Sequence, residues 1–241
     1  MNRLIEDLEC TVMWCGEPTL DECLASIDGQ SYLPAYVDII RDVSPLNESI
    51  NERHRRMSRK FSVKVDADFI LRKNCFQVLY ETMKENGLEY YAVSGLVDDT
   101  FMGPIGGVHL ERTACVKNIE VPNVIGCDRW LSNQARARGY KFYETHQVLA
   151  EHRVDWSWEN VFTRYFRLGQ KHTYFSTHRH DDYIRKIGER WIYNKNRLAF
   201  VALTGYCYGL FVPDNEEKGK NFGKEELEAV RKLIKRGVIP L

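Results

Sequence analysis

Asp66-Ala67-Asp68 follows directly on Phe61, Val63 and Val65, an alternating apolar run. The alternation predicts a strand with one buried face, and ligands of open α/β sheets bind outside the carboxyl ends of strands. Two carboxylates there suit Mg2+ or Mn2+ held against a diphosphate, because hard cations take oxygen ligands. Such an ion neutralises the charge growing on a leaving group. His152, just past the last predicted strand, gains meaning from this pair, since an imidazole can complete the shell around a metal on Asp66 and Asp68.

Other residues bear chemistry less specifically. Asp42 ends a predicted strand, where a carboxylate can accept hydrogen bonds from a base or ribose, or simply sit in a turn. Asp128 stands at a predicted helix start, a position that favours Asp as an N-cap for backbone reasons alone. Arg164 and Arg167 share one helix face by their spacing and suit phosphate, or form a solvated stripe. The run His178-Arg179-His180-Asp181-Asp182 is rich in metal-ligand types, but consecutive helical residues point different ways.

The elements that must position these groups are legible in outline. Strands are expected over residues 10–15, 36–42, 61–65, 90–96, 108–111 and 141–150, with helices near 20–27, 49–60, 73–86 and 128–138. Thr19 with Glu22 and Ser49 with Glu52 have capping-box spacing. Alternating strands and helices predict an α/β fold, a mainly parallel sheet covered on both faces. From Trp156 onward the pattern turns helical, ending in a solvated stretch over 214–223 and an amphipathic helix over 225–236.

Composition narrows the function classes. The 241 residues carry no formal net charge, which argues against a general nucleic-acid binder. Seven cysteines without a CxxC pair fit buried thiols in a reducing compartment. The opening Met1-Asn2-Arg3-Leu4-Ile5 has no apolar leader core, so a cytoplasmic protein is expected. The uncharged run of fifteen residues from Leu198 to Val212 falls short of the roughly 20 that a spanning helix needs. With the basic, aromatic stretch before it, this run predicts a peripheral contact with the cytoplasmic face of a membrane, with the catalytic domain or with a partner chain such as a second copy.

Taken in order, these segments resemble the family 2 glycosyltransferases. Thr11-Val12-Met13-Trp14, then Glu17, Ser26-Ile27 and Gln30, is similar to the family's first strand and helix. Val37 to Asp42 resembles its second strand, Val65-Asp66-Ala67-Asp68 its metal motif, and Gly126-Cys127-Asp128 its later Glu-Asp motif, with Cys127 in place of the Glu. His152, Trp156-Ser157-Trp158, Arg164, Arg167 and Gly169 resemble the closing stretch. The resemblance implies a GT-A-like catalytic domain over 1–172 with a helical C-terminal extension over 173–241. It implies an inverting transfer from a nucleotide sugar, UDP- or GDP-linked, to a hydroxyl of a glycan or lipid-linked acceptor, with Mn2+ or Mg2+. Asp128 would be the base, with Glu111 next in line. Glu17, Asp42, Asp66, Arg164 and Arg167 would bind the donor, and Asp66, Asp68 and His152 the metal.

Three readings compete. A haloacid-dehalogenase-like phosphatase also places Asp-x-Asp after a strand, though on its first strand and with Ser or Thr following where this chain has Ile70. A metal-dependent nucleotidyltransferase uses similar carboxylates. A non-catalytic nucleotide-sugar-binding module would keep the fold without the chemistry.

Overall fold

The computed structural model describes residues 2–124, 126–154, 156–174, 180–211, 228, 231–232 and 234–237. The stretch 214–223 and much of the expected helix over 225–236 lie outside the described residues, as do His178 and Arg179. The chain divides into two compact units, 1–99 with 104–153, and 100–103 with 154–241. The helix carrying Arg164 and Arg167 thus belongs to the second unit, although the sequence pattern puts a boundary at 172.

The first unit is a seven-stranded mixed sheet with helices on both faces. Its elements run β1 (Arg3–Trp14), α1 (Leu20–Asp28), β2 (Tyr32–Arg41), α2 (Leu46–Arg56), β3 (Phe61–Asp66), β4 (Phe69–Leu71), α3 (Cys75–Glu85), β5 (Tyr90–Asp99), β6 (Gly103–Arg112), α4 (Thr113–Val116), α5 (Cys127–Ala137) and β7 (Lys141–His152). The strand order is β2-β1-β3-β6-β5-β7-β4. β1 pairs in parallel with β2 and β3, and β5 with β7. β6 runs antiparallel to β3, and β4 antiparallel to β7. β6 follows β5 after only three residues, whereas a parallel connection needs a crossover of a dozen or more.

The alternation in β3 sorts its side chains. Phe61, Val63 and Val65 join Cys23 and Ile27 of α1 and Phe76, Leu79 and Met83 of α3 in one core. On the other face Ile50 of α2, Val116 of α4 and Leu131 and Ala135 of α5 form a second. Ser62, Lys64 and Asp66 therefore stand among polar groups near this second layer.

The capping boxes do not form. The Thr19 hydroxyl donates to Ala67 O at 2.9 Å and so ties α1 to the end of β3. Ser49 lies inside α2, its hydroxyl bonded to Val43 O, while Glu52 pairs with Arg55 and Arg56. Thr19 thus gains a tertiary partner, while Ser49 bonds the segment just before its own helix.

The second unit holds α6 (Trp158–Tyr174), α7 (His180–Ile192) and α8 (Arg197–Phe211). α6 and α8 cross with backbones in contact, because a Cβ on Gly205 would lie 2.6 Å from Phe162 O and one on Gly209 only 2.1 Å from Phe166 O. Among the described residues no helix is long and apolar enough to cross a membrane.

Candidate active site

Strand register brings the acidic groups together. Asp66 pairs with Met13 at the end of the β1–β3 ladder, and Ala67 N donates to Met13 O at 2.9 Å. Asp42 follows β2 and donates its N–H to Trp14 O at 2.9 Å, with its backbone in the left-handed region at φ 54. Such a conformation is uncommon outside glycine and most tolerated by Asn and Asp. Cys15 reports the convergence. Partial burial first, then the charges of Glu17, Asp42 and Asp66, push its thiol pKa up. Burial likewise raises the Glu17 carboxyl, against its bond from Cys15 N, and the charges of Asp68 and Asp66 add to the rise.

His152 is fixed by two neighbouring strands. β4 places Phe69 opposite His152, so Asp68 sits beside the imidazole, with Oδ2 3.1 Å from Nε2. On the other side β5 places Asp99 opposite His152, with Oδ2 3.1 Å from Nδ1. The imidazole is 2% exposed, and Phe69 packs edge-on against it with ring centroids 4.9 Å apart. Nε2 carries the hydrogen bond to Asp68, and Asp99 Oδ2 sets a second buried carboxylate oxygen beside Nδ1, a concentration of negative charge that a cation would relieve. Among the described residues no three His, Cys, Asp or Glu side chains form a ready-made metal cage.

Asp66 is held by Lys64, whose Nζ lies 3.1 Å from its Oδ1. Burial alone would lower the Lys64 pKa, but the charges of Asp66 and Asp128 outweigh it, and the net shift is upward. The Lys64 charge is thus balanced by carboxylates at the β3 end and at the start of α5. Asp128 is exposed in the first turn of α5 and does not cap it, since the cap position belongs to Gly126, left-handed at φ 66, with no side-chain cap bond.

Solved structures share this arrangement of strands and helices. The mannosyltransferase PcManGT from Pyrobaculum calidifontis, solved with GDP-Man and Mn2+, aligns over 85% of this chain and 81% of its own, with TM-score 0.55 and 12% identity. S. aureus TarS 1-349 in complex with UDP aligns over 89% of this chain and 91% of its own, with TM-score 0.52 and 11% identity. The fold is that of the GT-A-type glycosyltransferases. No family profile and no curated protein matches the sequence.

Within this GT-A fold, Glu17, Asp42, Asp66, Asp68, Asp128 and His152 all lie in the first unit, whereas Arg164 and Arg167 lie on α6 in the second. Glu111, the reserve base, is instead closed in a buried ion pair with Arg53, whose other nitrogen donates to Ser62 O and Oγ at 3.2 and 3.1 Å. Burial would raise the Glu111 carboxyl, yet Arg53 and the nearby histidines bring it below its ordinary value.

Two groups carry parts of the site that sequence reasoning missed, Asp99 and Lys64. For Lys64 there was a signal, since it alternates with Val63 and Val65 and must share a face with Asp66. Lys64 also opens onto a cavity of about 360 Å³, walled by His109 of β6, Arg53 of α2 and Asp128, Arg129 and Arg136 of α5. His109 stands opposite Lys64 across the β3–β6 ladder. Burial, then the Lys64 charge, hold its pKa below the ordinary value, so it is neutral near pH 7.

Proposed function

We propose that the chain transfers a glycosyl group, with inversion, from a nucleoside-diphosphate sugar to an acceptor hydroxyl. The observation that carries the reading is the placement of Asp68 and His152 in contact at 3.1 Å at the strand ends of a GT-A fold, with Asp99 behind the imidazole. PcManGT with GDP-Man and Mn2+ and TarS with UDP support a UDP- or GDP-linked donor and a divalent ion, Mn2+ or Mg2+.

In this reading Asp66, Asp68 and His152 would hold the ion, which would neutralise charge on the diphosphate. Glu17 and Asp42 line the nucleoside end. The Asp128 carboxylate takes the proton from the acceptor hydroxyl as that oxygen bonds to the anomeric carbon. The bond from that carbon to the phosphate oxygen breaks, and the nucleoside diphosphate departs with the electron pair. The positive end of α5 and the Lys64 ammonium both favour negative charge at Asp128.

Calorimetric titration with UDP and GDP, each with Mn2+ and with EDTA, tests the reading. Binding that requires the metal and is lost in Asp68→Asn is expected. Nucleotide affinity that EDTA leaves unchanged would remove the metal from the mechanism, and no binding of either nucleotide would remove the function.

A further inference from the structure

The cavity beside Asp128 has a composition that a neutral sugar acceptor does not require. Four cationic side chains (Arg53, Lys64, Arg129 and Arg136) face two carboxylates, Glu111 and Asp128. Glu111 is committed to Arg53, and Asp66, outside the cavity lining, is committed to Lys64. On α5, Arg129 and Arg136 stand seven residues apart on one stripe with Ser132 between them. Arg136 is exposed and forms no ion pair among the described residues. Its charge reaches the Tyr91 hydroxyl on the opposite wall, which is itself bonded to Ser132 Oγ at 2.7 Å.

We propose that this cavity is the acceptor subsite and that it selects an acceptor carrying an anionic group, a phosphate or a carboxylate, bound by Arg136 and Arg129 while its hydroxyl meets Asp128. The assignment rests on the glycosyltransferase reading and adds the substrate class. Asp128 and Arg136 are eight residues apart on α5, about 12 Å along the axis at the helical rise. Both side chains lean toward the N-terminus, and the longer Arg136 reaches further back than Asp128, so an acceptor bridges somewhat less than the axial separation. The volume of about 360 Å³ lies within the range for small-ligand sites. Arg136 also lies in the last turn of α5, where any cation complements the helix dipole, so the test must separate the two roles.

The probes are glucose 6-phosphate, glucuronate and glucose, titrated into the full chain while the amide resonances of α5 are followed by NMR. At least one anionic probe should bind about tenfold or more tightly than glucose, and the tighter of the two identifies phosphate or carboxylate as the recognised group. Arg136→Gln should weaken that probe by about tenfold or more, the loss of one charge-assisted contact. Arg136→Lys should retain much of the affinity. Arg138→Gln, which removes a like charge from the same helix end outside the cavity, should change nothing. Equal binding of all three probes, or equal loss in Arg136→Gln and Arg138→Gln, would overturn the proposal. UDP and GDP titrations with Mn2+ on the same samples read the parent function separately. Nucleotide binding without anion binding sinks only the subsite, and anion binding without nucleotide binding sinks its role as an acceptor site.

Discussion

Asp99 and His152 meet at the ends of two paired strands, Oδ2 3.1 Å from Nδ1, and both side chains are buried. The contact puts a second buried carboxylate beside the imidazole that bonds Asp68, so negative charge accumulates at this end of the site. Asp99→Asn keeps the shape and removes the charge. Mn2+ affinity in the presence of UDP or GDP should fall by about 10–100-fold, read by electron paramagnetic resonance of free Mn2+, while the thermal midpoint stays close to wild type. Unchanged Mn2+ affinity would mean that Asp99 only anchors the strand.

Asp128→Asn separates chemistry from structure. The cap position belongs to Gly126, so the substitution should leave folding and nucleotide binding nearly intact. Transfer to an acceptor should drop by about 10²–10⁴-fold, the usual contribution of a positioned general base. Retention of most transfer activity would take Asp128 out of the mechanism.

The Arg53–Glu111 pair supports the wall of the cavity. Arg53 is 1% exposed, so Arg53→Met leaves a buried carboxylate without its cation. That change should cost about 3–5 kcal/mol, and adding Glu111→Leu should recover much of it. Urea unfolding of the single and double variants decides, and equal destabilisation by both would refute the ion-pair account.

Close approach of α6 and α8 depends on glycine. An alanine at 209 would press its Cβ to 2.1 Å from Phe166 O, a backbone atom that cannot swing aside. Gly209→Ala should destabilise by about 1–3 kcal/mol. Gly188→Ala in α7, where nothing lies within 4 Å of the new Cβ, should be neutral or stabilising by up to about 1 kcal/mol. Thermal unfolding of the two variants side by side checks the contrast.

A third histidine gives the helical unit a pH dependence. His172 Nδ1 lies 2.9 Å from the Tyr206 hydroxyl and its ring stacks on Tyr183. Burial first, then the charges of His180 and Lys171, lower its pKa from 6.5 to about 4. Between those values the unfolded chain holds a proton that the folded chain lacks, so stability falls as pH drops through this window. The melting temperature of wild type should decline more steeply from pH 6.5 to 4.5 than that of His172→Gln. Parallel slopes would exclude His172 as the source.

Much of the fold was readable because its signals are local. Phe61, Val63 and Val65 gave β3 by period alone, and the reading of strands alternating with helices predicted the layered sheet. The Asp66 and Asp68 pair was visible because it followed such a strand directly. β4 has three residues, too few for any period to register, and its pairing with β7 is what joins Asp68 to His152. Asp99 was missed for the same reason, since its meaning lies in register with a strand some fifty residues away. The capping boxes misled because the Thr19 and Ser49 hydroxyls bond carbonyls outside their helices, Ala67 O and Val43 O.

Lys64 stands between two carboxylates given different tasks, bonded to Asp66 and sensing the charge of Asp128. In the proposed mechanism, a single ammonium shared in this way makes the donor side and the acceptor side electrostatically dependent on each other. Neutralising either carboxylate releases Lys64 to the other, so the two losses should not sum in a double-mutant cycle. The same sharing offers a physical route by which filling one half of the site alters the charge balance of the other before any bond is made.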